Sequence, residues 1–400
     1  MRAFFRATLA APLVALLVAV PLQAQERVLN LYNWADYVGA DALKRFQAET
    51  GIRVKYDTFD SAEVLDSKLM TGASGYDVVF PASSGLARAI QAKAVQPVDS
   101  AQLKNFANLD PELLAKLATV DPGNRFGVPY TWGTVGLAIN KEAVLKRIPD
   151  APLDSLDLLF KPEYASRLAD CGISLIDSPQ EVISVALNYL GKPPYSTDAA
   201  DLAQVRELLA KLQPNVRYVA SGKHINDLAN GTLCVALTYT GDALMGAAQA
   251  KQANKPFEVI YRIPKEGTLI WFDTMAIPVD APHPQEARAF IDFMLRPESI
   301  AELTNTLYFA NANQKATPLL APEVAGDPDI YPPAAMRQKL FGEQLLTLKQ
   351  QRERTPAVDF VPHPHLNFIA GADSVRDPAD RPVLQSQTES APARATLTHR

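Results

Sequence analysis

The sequence predicts an α/β fold. Strand-like and helix-like segments alternate from the first strand onward, and apolar stripes at helical spacing and buried-strand runs recur through the middle of the chain. Hydrophobic residues, 48% of 400 positions, supply ample material for a core. The length corresponds to two or three domain-sized units.

The elements follow in order. Val28-Leu29-Asn30-Leu31-Tyr32 reads as a strand. Residues 37–47 read as a helix with Ala42, Leu43 and Phe46 on one stripe, stopped by Thr50-Gly51. Residues 52–56 alternate like a second strand, and 61–70 return to helix with Val64, Leu65 and Leu69. Tyr76-Asp77-Val78-Val79-Phe80 has a buried-strand pattern, ended by Pro81 and followed by a helix over 86–91. Strand, helix, strand, helix, strand is the order of an open sheet with parallel members. A second α/β region begins after Val135-Gly136-Leu137-Ala138-Ile139. Its predicted helices cover 161–164, 179–189 (led by Ser178 as a cap), 202–212 and 284–295, and its strands cover 233–237, 257–263 and 269–277. The 366–400 stretch reads as a C-terminal extension, poor in large apolar groups from Asp373 and therefore disordered or loosely attached. A terminal arm on a partner lobe is the alternative.

Arg2 and Arg6 precede an apolar run over 7–22, and Leu22-Gln23-Ala24 offers a cleavage point, so 1–24 reads as a secretory signal peptide. The competing reading is a membrane anchor, for which the run is short. An exported, periplasmic protein follows. Cys171 and Cys234 suit that compartment as a disulfide, with two buried thiols as the alternative.

The formal net charge of −5 excludes a generally basic nucleic-acid binder. Two cysteines cannot build a thiolate metal cluster, and His363-Pro364-His365 reads as a solvated loop rather than a metal site. HExxH, GxSxG and a complete Walker A sequence are absent, so neither an enzyme nor a cofactor is expected. Aromatic residues beside carboxylates are the informative feature. Trp34-Ala35-Asp36-Tyr37 follows the first strand, Tyr239-Thr240-Gly241-Asp242 follows the 233–237 strand, and Trp271-Phe272-Asp273 lies on a later one. Strand ends are where α/β sheets bind ligands. An ammonium favours a ring face and a carboxylate, and a methylene chain favours aromatic walls, so a linear diamine combines these needs. Each residue alone fits a plainer role: Trp34 and Trp271 as core, Asp36 and Asp242 as helix caps.

Longer motifs extend the reading. YNWADY at 32–37, YDTFDSAEVLDSKLMTG at 56–72, GYDVVFP at 75–81, CGISLIDSPQEV at 171–182, NYLGKPPYS at 188–196, NDLANGTLCVAL at 226–237, IPKEG at 263–267, YFANANQKATPL at 308–319 and IYPPAAMRQKLF at 330–341 run in order. Together they make the chain resemble the periplasmic putrescine- and spermidine-binding proteins of ABC importers over about 28–354. The resemblance implies a type II periplasmic-binding-protein-like fold, with two α/β lobes, a ligand cleft and multiple hinge crossings. By analogy one lobe holds 26–132 and 257–321, the other 133–256 and 322–365, with crossings near Trp132-Gly133 and Pro256. It also implies the Cys171–Cys234 disulfide.

For the ligand, the resemblance places Trp34 and Tyr37 against the polyamine and has Asp36, Asp242 and Asp273 accept from its amino groups. Tyr239 stands where many relatives have tryptophan, Trp271 where they often have phenylalanine, and Phe309 where tyrosine is common; all three would wall the chain. Ala35 and Ala82 replace frequent serines, and Gln180 stands where putrescine receptors can present glutamate, which weakens putrescine or shifts preference toward spermidine or another amine. The ending beyond Arg354 departs from the basic, tryptophan-containing ending of relatives. The implied function is a monomeric receptor that captures a linear polyamine and delivers it to a membrane ABC permease complex. The alternative is a polyamine or organic-cation sensor acting through a membrane signalling partner.

Overall fold

The computed structural model describes residues 27–35 and 37–358. The signal-peptide, C-terminal-extension, His363-His365 and Asp36 expectations lie outside the described residues. The strands are β1 (Val28–Trp34), β2 (Arg53–Phe59), β3 (Val78–Val79), β4 (Val95–Gln96), β5 (Gly127–Asn140), β6 (Ile173–Leu175), β7 (Val216–Val219), β8 (Val235–Tyr239), β9 (Val259–Arg262), β10 (Leu269–Pro278) and β11 (Phe341–Gly342). Their order is β2-β1-β3-β10-β5-β8-β6-β7, with β4 and β11 on β10 and β9 on β5. The β1–β2 and β1–β3 pairs are parallel, as the opening strand–helix alternation predicts, and β6 pairs in parallel with β7 and β8.

The two lobes are α/β layers joined through β5. Its first half, through Thr134, pairs antiparallel with β10, and its second half, from Val135, pairs with β8 and β9. Hydrophobic patterning reveals only that second half. The first half, Gly127-Val128-Pro129-Tyr130-Thr131-Trp132-Gly133-Thr134, mixes glycine, proline and threonine, yet every residue of β5 is buried. Such a strand, covered on both faces, loses the apolar–polar alternation that marks a half-exposed one.

Alternate residues of the long strands serve different cores. Val128, Tyr130, Trp132, Ile270, Phe272 and Met275 join Leu31, Phe46, Val79 and Phe290 in one core. Val135, Leu137, Ile139, Leu269 and Trp271 join Leu159, Ile173, Val185, Leu209 and Leu237 in the other. The first core also takes Ala236 and Tyr261 from the far face of the β8–β5–β9 layer and Ala243 from the Thr240–Gln252 helix that follows β8. The last described segment touches both: Val324, Ile330 and Leu340 pack in the first core, Ala357 and Val358 in the second. Cys171 and Cys234 are disulfide-bonded, with Cα atoms 5.5 Å apart.

Helix positions match the sequence reading with shifts at their starts. The first helix is Ala40–Thr50 rather than 37–47, because Tyr37 is held in the preceding loop: its carbonyl accepts from Asn33 Nδ2 at 2.9 Å and from the Tyr130 hydroxyl at 2.8 Å. The next, Ala62–Met70, begins where Ser61 Oγ accepts from the Val64 amide. Ser83–Gln91 begins three residues earlier than predicted, directly after Pro81-Ala82, and Pro179–Tyr189 lies as predicted. No described helix is long and apolar enough to cross a membrane.

Candidate ligand-binding site

The site is assembled where β10 meets β5. Trp271 and Asp273, two residues apart on β10, lie opposite Gly133 and Thr131 of β5 and share one face of the strand. Gly133 leaves room for the indole: a Cβ there would lie 2.4 Å from the Trp271 ring. Gly241 does the same for Phe309, whose ring would meet a Cβ at 1.9 Å. These two glycines let large rings approach backbone closely.

The rings form a continuous row. Tyr37 meets Phe309 edge-on at 5.4 Å, Phe309 meets Trp271 at 5.8 Å, and Trp271 meets Tyr239 at 5.9 Å. All three contacts are T-shaped, a favoured aromatic geometry. The Trp271 indole N–H is buried and has no hydrogen-bond partner among the described residues.

A carboxylate sits at each end of the row. At one end the Tyr37 hydroxyl lies 2.8 Å from Asp273 Oδ2 and also bonds Thr131. At the other the Tyr239 hydroxyl donates to Glu181 Oε2 at 2.7 Å. Glu181 comes from the first turn of the Pro179–Tyr189 helix. A third carboxylate, Glu343, follows β11 and accepts from the Ser83 hydroxyl at the start of the Ser83–Gln91 helix.

Burial, more than any neighbouring charge, sets the protonation of these groups. Burial pushes the Asp273 carboxyl up to about 7, the Glu343 charge adds to the rise, and the Tyr37 hydrogen bond opposes it. Burial, then the Glu343 charge, pushes Glu181 up to about 8, against the hydrogen bonds from Tyr239 and Ser178. Burial also raises Glu343, partly offset by Ser83 and Arg88. Glu181 and Glu343 keep some accessible surface because both line a cavity of about 210 Å³, together with Gln180, Ser84, Arg88, Tyr195 and Gln351. Arg88 is engaged by Asp66, with Nη2 2.7 Å from Oδ2.

The sequence-predicted residues divide into four placements. Tyr37, Tyr239, Trp271, Asp273 and Phe309 are brought together. Asp242 lies in the first turn of the Thr240–Gln252 helix, close enough to raise the Tyr239 phenol, and its Oδ2 is 3.1 Å from Nε2 of the fully buried His224. Trp34 ends β1, donates from Nε1 to the Phe80 carbonyl at 3.1 Å and packs on Phe59. Gln180 lines the neighbouring cavity; its amide nitrogen reaches toward the Gln351 carbonyl at 3.5 Å and its Oε1 is buried without a partner among the described residues. Glu181, its neighbour in the DSPQEV motif, is the residue that reaches Tyr239. A larger open groove of about 590 Å³, lined by Arg262, Glu323, Asp327 and Asp329, shares no residue with this row. No group of His, Cys, Asp and Glu among the described residues is placed to hold a metal ion.

Glu181, Glu343 and His224 escape the sequence reading as site residues. Glu181 had a signal, its place in a shared motif at a helix start. Glu343 stands two residues beyond the IYPPAAMRQKLF motif, and only the fold brings it to Glu181.

Residues 41–332 match the model of the bacterial extracellular solute-binding protein family. The chain belongs to that family. It is 46% identical over 338 residues to the putrescine-binding periplasmic protein PotF of Escherichia coli (strain K12), covering 84% of this chain and 91% of that one. It is 36% identical over 335 residues to a spermidine/putrescine-binding periplasmic protein of Salmonella typhimurium, covering 84% and 91%. Among solved structures it resembles the spermidine/putrescine ABC transporter substrate-binding protein PotD of Streptococcus pneumoniae, with a TM-score of 0.75, 29% identity, and 84% and 98% of the two chains covered. The two-lobed fold is that of the type II periplasmic binding proteins, and the family binds solutes rather than catalysing reactions.

Proposed function

We propose that this protein captures a linear polyamine outside the cytoplasm and presents it to a membrane ABC importer. One observation carries the reading: a carboxylate stands at each end of an aromatic row, burial raises the pKa of both, and the charge of Glu343 adds to each rise. A chain with an ammonium at each end supplies the matching charges. Its methylenes pack along Phe309, Trp271 and Tyr239, and its charges ionise Asp273 and Glu181. An acidic solute would meet the opposite field. The names of the relatives, which include putrescine, agmatine, cadaverine and spermidine binders, support the same class.

The lobe division at 26–132 with 257–321 and 133–256 with 322–365 belongs to this proposal, as do contacts from Trp34, Asp36, Asp242 and Gln180. Lobe closure over the amine gives a permease a shape that differs between empty and loaded receptor. The test is calorimetric titration of the mature protein with mono-, di- and triamines and with an amino acid. Saturable binding of a di- or triamine, weakened by salt, is the expected result. No binding of any of them at millimolar concentration overturns the reading.

A further inference from the structure

We propose that Glu343 is a specificity-determining residue that gives the site a third cation seat and so selects a linear triamine over a diamine. The inference rests on the amine reading above and deepens it. Asp273 and Glu181 already stand at the two ends of the ring row, through Tyr37 and Tyr239. A diamine seated between these two carboxylates would have both its charges matched without Glu343.

Glu343 adds a negative charge whose field acts on Glu181, on Asp273 and on the Tyr239 phenol. The protein offers it the Ser83 hydroxyl, the Ser84 amide and hydroxyl, and one half-committed cation. Ser83 bonds it, while the nearby Arg88 is held by Asp66 at 2.7 Å. Arg354, beside the same cavity, is spent on the Ser184 hydroxyl at 2.8 Å and on the carbonyls of Gln180, Pro194 and Ser196.

A second, independent observation points into the same space. Gln180 Oε1 is buried, accepts from nothing among the described residues, and belongs to a side chain lining the cavity that Glu181 and Glu343 line. An ammonium has three N–H donors and no acceptor. The cavity offers it two carboxylates and one unpaired amide oxygen. Its volume of about 210 Å³ equals roughly seven water molecules at about 30 Å³ each. That is room for an aminoalkyl arm extending past Glu181.

The test uses the mature protein with three probes: putrescine, spermidine, and spermidine acetylated at a terminal amine, which keeps the length and loses a charge. The unaltered protein is expected to bind spermidine at least about tenfold more tightly than putrescine, and acetylation is expected to abolish that advantage. Glu343→Gln is expected to weaken spermidine at least about tenfold more than it weakens putrescine. Equal weakening of both amines by Glu343→Gln would assign Glu343 a structural role and overturn the proposal. So would equal affinity for the two amines in the unaltered protein, or undiminished binding of acetylated spermidine. The acetylated probe decides the matter even where Glu343→Gln fails to fold. Binding of neither amine by the unaltered protein would fell the amine reading itself, an outcome distinct from binding both equally.

Discussion

Asp273→Asn separates the two consequences of a buried, unneutralised carboxylate. Asp273 is 9% exposed, and its carboxyl is pushed from 3.8 up to about 7. A rise of about 3 units corresponds to roughly 4 kcal/mol of destabilisation of the empty folded protein when the group is fully ionised. Because the native pKa lies above the unfolded one, the unfolded state loses its proton first as pH rises. The penalty is absent below about pH 4, grows between the two pKa values and is complete above about pH 7. Asparagine keeps an oxygen for the Tyr37 hydroxyl and removes the charge. The ligand-free variant is therefore expected to be more stable than the parent at pH 8, by up to roughly 4 kcal/mol, and equal to it near pH 4. Amine binding should weaken by about ten- to a hundredfold, as for loss of a charge-assisted hydrogen bond of roughly 1.5–3 kcal/mol. Urea unfolding at the two pH values and calorimetric titration at pH 8 read both effects. A ligand-free variant less stable at pH 8, or one that binds amine as tightly as the parent, would refute the reasoning.

Three further outcomes follow from the same geometry. Amine affinity should rise with pH through about 7 to 8, where Asp273 and Glu181 lose their protons, by up to tenfold per unit for each proton released; a flat profile from pH 5 to 8.5 would contradict this. Gly241→Ala places a methyl 1.9 Å from the Phe309 ring, so it should displace that wall and weaken amine binding at least about tenfold; calorimetry with unchanged affinity would argue against Phe309 as a wall. Removing the Cys171–Cys234 disulfide, which spans a sequence separation of 63, should lower unfolding stability by roughly 4 kcal/mol on the chain-entropy estimate; equal urea midpoints with and without reductant would contradict it.

Legibility in the sequence followed chemistry that local pattern carries. Trp271 and Asp273 are separated by the strand period, so their shared face follows from spacing, and Tyr239 and Asp242 straddle a strand-to-helix turn. The opening parallel strands were legible because turn residues bound their short apolar runs. The front half of β5 was not, because full burial on both faces erases its alternation. Gln180 and Glu181 show a finer limit. Both lie in the first turn of one helix, and only the helix's rotation about its axis decides which reaches Tyr239. Glu343 illustrates the coarsest limit, since its meeting with Glu181 joins positions far apart in sequence. Gly133 and Gly241 read as ordinary strand and turn residues until the rings over them are seen.

Residue-specific titration of the carboxyl carbons by NMR, with and without amine, tests the central claim most directly. In the free protein Asp273 should titrate near 7 and Glu181 near 8. Saturating amine should bring both well below those values, because the bound ammonium groups favour the ionised forms. Carboxyls that titrate at ordinary values in the free protein, or that keep their raised values with amine bound, would contradict the account.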